Sequence, residues 1–289
     1  MGSGRIEVGD IFITPVVTSR FRLDGGSMFG IVPRVLWEKK APADEMNRIV
    51  LNVNSLVVES AGLTILVEAG MGNKYDRRQK DIYALEECDT LTALSRAGYA
   101  PGDIDLVILT HLHLDHAGGC TVVDSTGGLA PAFPKARFVV QEDEWRSAVD
   151  PHPLARGSYI EDDFLPLSEK GLLELVRGGK EVAKGISVEL TGGHTRGHQV
   201  VRFASGGSEA IYLGDIVPTV AHLPLNWLMS WDMEPELVWK EKARLLEEAS
   251  RRGALVFWSH DPETAAGRVE TALPSGYRLN EETLVRASR

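Results

Sequence analysis

The run Thr110-His111-Leu112-His113-Leu114-Asp115-His116-Ala117-Gly118-Gly119 packs three imidazoles and a carboxylate into six residues, directly after the apolar stretch 106–109. A cluster of this kind needs a fold that holds it at the mouth of a strand, where the sheet fixes the backbone and the side chains are free to converge. One histidine is commonly a satisfied structural residue. Imidazole and carboxylate at this density instead suit zinc, iron, manganese or cobalt, and the His-x-His alternation turns two rings to one side of the chain. Three more donors stand in the same kind of place. His194, in Gly192-Gly193-His194-Thr195-Arg196-Gly197-His198, follows a strand ending at Leu190; Asp215 follows one ending at Leu213; and His260, in Ser259-His260-Asp261, follows one ending at Trp258. Singly, an Asp after a Gly is a turn or cap residue. Their shared placement at the C-terminal ends of apolar strands points to one cleft.

The rest of the chain supplies the strands. Apolar periodicity predicts them at 49–59, 63–68, 106–110, 137–141, 186–190, 200–204, 210–213 and 255–258, with helices at 84–97 and 235–252. The second helix has Pro235 near its first turn, apolar Leu237, Val238, Leu245 and Ala249 on one side, and Gly253 just past its end. Strands interleaved with helices in this way give an α/β protein whose sheets pack face to face under covering helices. With 289 residues the chain is long enough for two domains, or for one made of two similar halves. Segment 150–173 reads as a connection between halves, a lid over the cleft or a solvated loop. The glycine-containing apolar stretch 25–33 is either tucked into the core or exposed as a pocket wall.

Composition narrows the partners. A net charge of −10 disfavours a binder of phosphate backbones, which needs a basic face. No window approaches the roughly 20 apolar residues that span a bilayer, and 1–8 lacks a signal-peptide core, so neither nucleic acid nor membrane is expected and the cytoplasm is the default location. Cys88 and Cys120 are too few for a disulfide framework and read as small buried hydrophobes. The expected partner is a small-molecule substrate, with a homodimer left open.

On these residues the chain resembles the metallo-β-lactamase superfamily, whose signature is the His-x-His-x-Asp-His run followed by His, Asp and His in that order. The resemblance runs from Leu66-Val67-Glu68-Ala69-Gly70 to His260. It implies an αββα four-layer sandwich of two pseudo-symmetric halves, one such domain over 1–289, with a dinuclear metal centre at one edge of the sheets. By motif position His111, His113 and His194 would hold the first metal, Asp115, His116 and His260 the second, and Asp215 would bridge them. The implied cofactors are two divalent ions, zinc foremost, with iron, manganese or cobalt as alternatives. Asp rather than Cys at 215 argues against the antibiotic-hydrolysing branch with a Cys ligand. His rather than Glu at 113 argues against the diiron oxygen-reducing branch, and the short stretch after His260 against the helical substrate domain of glyoxalase II. The segment Gly214-Asp215-Ile216-Val217-Pro218 and the apolar N-terminal loop look most like the quorum-quenching lactonase and methyl-parathion-hydrolase-like group. Two positions depart from it. Pro218 stands where acyl-homoserine lactonases carry a tyrosine that helps hold the substrate carbonyl, and Glu68 stands where an aspartate is common.

The expected activity is therefore hydrolysis of a lactone or carboxylic ester by a hydroxide that bridges two ions about 3.5–4 Å apart. Phosphotriester hydrolysis at the same site is one alternative and an iron-dependent redox protein another. No Gly-x-Ser-x-Gly elbow or Walker-type loop competes with this reading. Asp115 is the candidate to carry the proton from the attacking water to the leaving group, and His222 is a second candidate proton donor at the pocket wall. His198 is expected to orient its loop by hydrogen bonding rather than to bind metal. Met28, Phe29, Ile31, Trp37 and Trp227 are the candidate apolar walls.

Overall fold

The computed structural model describes residues 4–86, 89–272 and 276–287; Cys88 lies outside the described residues. Along the chain run β1 (Ile6–Val8), β2 (Ile11–Asp24), β3 (Arg48–Ser60), β4 (Leu63–Val67), β5 (Leu106–Ile108), the ribbon pair β6 (Thr121–Val123) and β7 (Leu129–Pro131), then β8 (Arg137–Gln141) and β9 (Leu173–Val176). The second half adds β10 (Lys180–Ala183), β11 (Ile186–Leu190), β12 (Gln199–Ser205), β13 (Ser208–Tyr212), β14 (Leu255–Phe257), β15 (Thr264–Thr271) and β16 (Tyr277–Arg286). They form two seven-stranded sheets, ordered β1-β2-β3-β4-β5-β8-β9 and β10-β11-β12-β13-β14-β15-β16. Each half begins as an antiparallel meander and then takes a parallel step, β4 to β5 in one and β13 to β14 in the other. Those two steps bring the donor-bearing strand ends to one edge.

Period-two alternation builds the layers. On β4, Ile65 and Val67 face the space between the sheets, where they meet Ile186, Val201, Phe203, Tyr212 and Phe257, while Leu66 points the other way. Among the described residues eight helices accompany the strands: α1 (Gly25–Phe29), α2 (Arg34–Trp37), α3 (Arg77–Tyr83), α4 (Thr90–Arg96), α5 (Leu114–Ala117), α6 (Glu142–Val149), α7 (Glu161–Glu169) and α8 (Pro235–Arg252). Ala93 and Leu94 of α4, Ala148 of α6, and Phe164 and Leu167 of α7 cover the outer face of the first sheet. Val238, Leu245, Leu246 and Ala249 of α8 cover the second. The result is the four-layer α/β sandwich.

Two sequence expectations change. The helix expected over 84–97 starts later, as α4: Ala84 takes a left-handed conformation (φ 41°) that ends the preceding α3, and Asp89 caps the new start by accepting from the Thr92 amide. Segment 150–173 is neither linker nor loop throughout, since α7 buries Asp163, Phe164, Pro166 and Leu167 in the core; its earlier part, at Gly157 and Ser158, reaches the cavity described below. Cys120 is buried with a free thiol. Among the described residues no helix is long and apolar enough to cross a membrane.

One buried cation braces the loop before α8. Lys242 is fully buried on the apolar face of the helix, and its Nζ donates to the carbonyls of Pro224 (2.9 Å) and Trp227 (2.8 Å). Burial pushes its pKa down to about 7, against the pull of Asp232. A base depressed in the folded state binds fewer protons there than in the unfolded chain, so its contribution to stability rises with pH above about 7. Relative to Lys242→Met, the wild-type protein is therefore expected to gain unfolding free energy between pH 7 and 9. Denaturant titrations at both values check this, and a pH-independent difference between the two proteins overturns it.

Candidate metal centre

Four strand ends at the shared edge deliver donors. Past β5 the chain turns through His111 and His113 into α5, which carries Asp115 and His116; past β11 comes His194, past β13 Asp215 and past β14 His260. The potential ligand atoms fall into overlapping groups whose members lie within 4.8 Å of one another: His111, His113 and His194; His111, His116 and Asp215; and Asp115, His116 and His260. All seven side chains proposed from sequence are thus brought together. Five are imidazoles and all five are buried.

Four of the five rings have a polar group behind them. Nδ1 of His194 donates to Asp232 Oδ1 at 2.9 Å, and Nδ1 of His260 donates to the Asn52 carbonyl at 2.8 Å. Nδ1 of His111 lies 3.0 Å from the Thr110 hydroxyl, and Nδ1 of His116 lies 3.2 Å from Glu68 Oε2. A ring nitrogen that donates on one side leaves a lone pair on the other. On the other side the ring nitrogens converge: His194 Nε2 stands 3.2 Å from His113 Nδ1, and His260 Nε2 stands 3.1 Å from His116 Nε2. Among the described residues His111 Nε2 has no hydrogen-bond partner although it is buried. Ring nitrogens that converge in a desolvated space need a proton or a metal cation between them.

Asp215 joins the two groups. Its Oδ2 is 3.4 Å from His194 Nε2, while its Oδ1 is 3.1 Å from His260 Nε2 and 3.5 Å from His116 Nε2. Ser259 Oγ donates to the same Oδ1 at 3.1 Å. Burial works against its charge, but the imidazoles of His260 and His116 hold the carboxyl well below the usual range. Asp115, with its side chain 15% exposed, has Oδ2 3.5 Å from His260 Nε2 and Oδ1 3.8 Å from His116 Nε2. Burial, then the neighbouring imidazoles, push His111 and His113 well below the usual histidine range, so both are neutral donors. Five imidazoles and two carboxylates converging on one edge fit a pair of borderline divalent cations.

The centre opens into a cavity with about 590 Å³ of empty space, its mouth included, walled by Phe21, Leu23, Met28, Leu114, Met229 and Trp231, with Tyr83 and Ser158 as hydroxyl-bearing neighbours. Of the expected walls, Met28 is there. Phe29 and Trp37 are not: they stack on each other in the core behind Met28, ring centroids 5.4 Å apart, and Trp227 abuts Phe29 edge-on from the same side. Ile31 is 89% exposed and away from the cavity. His222 is a clip rather than a wall residue. Its Nε2 donates to the Met28 carbonyl (2.8 Å), its Nδ1 lies 2.7 Å from the Thr219 hydroxyl, and its ring stacks on Phe29. Burial, with Lys242 near, pushes its pKa down to about 3, so the ring is neutral and its one N–H is engaged by the Met28 carbonyl rather than offered to substrate. His198 takes the role of loop brace, accepting from the Asp215 amide at 3.0 Å through Nε2. Pro218 contributes its carbonyl, which accepts from the His260 amide at 2.8 Å. Sequence reasoning missed Asp232 and Asn52 altogether. Nothing local marks them, since they brace histidines 38 and 208 residues away.

A four-layer α/β sandwich with a cluster of histidines and aspartates able to hold metal at the edge of its sheets defines the class. The metallo-β-lactamase superfamily model matches residues 48–260, and the chain belongs to that superfamily. It is 29% identical over 178 residues to N-acyl homoserine lactonase AiiA of Bacillus thuringiensis subsp. kurstaki, a match covering 62% of this chain and 64%, less than two thirds, of that protein. A solved probable metal-dependent hydrolase from Staphylococcus aureus is 32% identical, covers 97% of this chain and 100% of its own, and superposes with a TM-score of 0.87. AidC, described as a dizinc quorum-quenching lactonase bound to N-hexanoyl-homoserine product, shares the fold at a TM-score of 0.77 with 21% identity, covering 100% of this chain and 98% of its own.

Proposed function

We propose that this protein is a metal-dependent hydrolase that opens a lactone ring, using two zinc ions held by His111, His113, His194, Asp115, His116, His260 and Asp215. The observation that carries this reading is the pair of facing imidazole nitrogens, 3.2 and 3.1 Å apart, with Asp215 oxygens reaching both pairs. The names of the AiiA and AttM relatives, both N-acyl homoserine lactonases, support lactone over other acyl substrates. Bound there, two divalent cations supply an acidified water and polarise a carbonyl oxygen.

The remaining work falls to the chain's own groups. Apolar walls at Phe21, Leu23, Met28, Met229 and Trp231 take up an uncharged substrate and exclude bulk water from the centre. No Lys or Arg is among the described residues lining the cavity, which favours a neutral ring over an anionic ester. With Pro218 lacking a hydroxyl, Tyr83 and Ser158 are the hydroxyl donors on the wall that can meet the substrate carbonyl. Asp115 is partly exposed to the cavity and is the residue to accept a proton at a carboxylate oxygen and pass it to the departing alkoxide.

Comparing kcat/KM on a γ-lactone, an aryl ester and an aryl phosphotriester tests the substrate class, with the lactone expected to be preferred. Chelation should abolish turnover and zinc restore it; activity that survives a metal-free preparation overturns the reading, and restoration by iron alone points to the redox alternative. Asp115→Asn is expected to lower kcat by about 10²–10⁴-fold with both zinc ions retained, the range for loss of a proton-transfer group. Near-normal kcat at full zinc content would remove Asp115 from that role.

A further inference from the structure

Behind the first histidine trio lies a carboxylate that touches none of its members yet is tied to every segment that carries them. Glu144, in the first turn of α6, is fully buried. Its Oε1 accepts from the Leu112 amide at 2.9 Å and from the Tyr159 hydroxyl at 3.0 Å, and its Oε2 accepts from the Thr195 hydroxyl at 2.5 Å. Leu112 is the residue between His111 and His113, and Thr195 follows His194. The Tyr159 ring packs edge-on against His113, centroids 4.9 Å apart. The loop bearing His194 also rests on the start of α6. A Cβ added to Gly197 would fall 2.0 Å from the Glu144 backbone nitrogen, so glycine is needed there for the approach. The second group of donors is braced elsewhere, by Glu68 and the Asn52 carbonyl.

We infer that Glu144 is a positioning residue for the first metal: one buried carboxylate sets the mutual placement of His111, His113 and His194, while His116 and His260 are placed without it. This rests on the metal-centre reading above and extends it to the residue that sets affinity at one of the two positions. Zinc–imidazole bonds of about 2.0–2.1 Å tolerate little drift of the rings. Holding the backbone between two ligands and the side chain after the third is an economical way to prevent it. The burial of Glu144, which raises its pKa, is offset by the three donors that converge on it.

The same geometry supplies its own control. A glutamine at 144 can still accept from the Leu112 amide and the Tyr159 hydroxyl through its oxygen, and can donate through its nitrogen to the Thr195 hydroxyl, which accepts as readily as it donates. Glu144→Gln is therefore expected to keep the arrangement, and Glu144→Ala to lose it.

Metal-free protein labelled with ¹⁵N-histidine is titrated with zinc against a chromophoric chelator, and imidazole ¹H–¹⁵N spectra report which rings bind at each step. In Glu144→Ala, zinc affinity at the site read by His111, His113 and His194 should fall about 10–100-fold, the usual effect of removing an outer partner, with under threefold change at the site read by His116 and His260. Glu144→Gln should stay within about threefold of wild type at both. Should Glu144→Ala not fold, Thr195→Val removes one strut and is expected to give the same selective weakening. Equal affinities in the variants and wild type, or equal loss at both sites, overturn the assignment. Wild-type protein that binds no zinc overturns the metal centre itself, a result distinct from either.

Discussion

On the proposed function, Asp215→Asn is expected to cut kcat/KM for lactone opening by about 10³-fold or more, equivalent to about 4 kcal/mol of transition-state stabilisation, and to leave the proposed zinc centre incompletely filled. The reasoning is geometric. Among the described residues Asp215 is the carboxylate whose two oxygens reach both histidine groups, at 3.4 Å on one side and at 3.1 and 3.5 Å on the other. Asparagine fills the same volume but offers one oxygen, no charge and an amide that would point donor hydrogens at a lone pair meant for a cation. Each of the two groups then consists of neutral imidazoles with at most one anion, Asp115, on the second side. Such a site holds a dication far less well, and one position is expected to empty before the other. The fold should survive, since the amide nitrogen can donate to the His260 or His194 ring nitrogen and Ser259 can still donate to the remaining oxygen. Zinc content, circular dichroism and kcat/KM measured on one preparation check the three parts together. Wild-type turnover with two zinc ions bound would show that the centre works without a shared carboxylate.

The candidate ligands could be picked out from sequence because their signal is local. His111 to His116 are contiguous, and His194, Asp215 and His260 each follow an apolar strand that periodicity detects. The groups that tune those ligands could not, because what defines them is distance across the fold. Asp232 precedes α8 by a few residues and looks like any acid before a helix until its Oδ1 is found against His194 and its Oδ2 accepting from the Met229 amide at 2.9 Å. Glu144 sits among the acids of the first turn of α6, where Glu142 and Asp143 are ordinary N-terminal charges; only its burial sets it apart. Aromatic content misled in the opposite direction. Phe29, Trp37 and Trp227 were plausible walls by residue type, but large rings are strongest as core, and here they pack together with His222 behind the one wall residue, Met28, that the stretch contributes. The strand β2 shows a further limit. Its Pro15 and the register shift between Val17 and Ser19 break the alternation that a sequence reading relies on, although the strand pairs with β3 over nearly its whole length.

The second large effect is expected from a methyl group. Gly119→Ala should destabilise the protein by about 3 kcal/mol or more, a fall in melting temperature on the order of 10 °C for a chain of this size, and weaken zinc binding at the site that includes His116. Gly118 and Gly119 close the histidine-rich turn directly after α5, and the backbone on which they lie is the turn that follows β4. The Gly119 amide donates to the Gly70 carbonyl at 2.9 Å, and the Ala69 amide donates to the His116 carbonyl at 2.9 Å, so the two turns are laced together main chain to main chain. A Cβ on Gly119 would sit 2.0 Å from the Ala69 carbonyl oxygen and 2.5 Å from Thr90 Oγ1; one on Gly118 would sit 2.1 Å from the Met71 carbonyl oxygen. A side chain could rotate away from such a contact, whereas a backbone carbonyl inside a hydrogen-bonded turn cannot move without carrying Glu68, and with it the support behind His116. Trimming Thr90 alone therefore should not rescue the variant, because the clash with Ala69 remains. Gly102→Ala is the matching control: its nearest neighbour would be Lys135 Nζ at 4.0 Å, and its melting temperature should stay within a degree or two of wild type. If Gly119→Ala melts with the control and keeps both metals, the two turns are not interlocked as described, and the placement of His116 depends on something other than this contact.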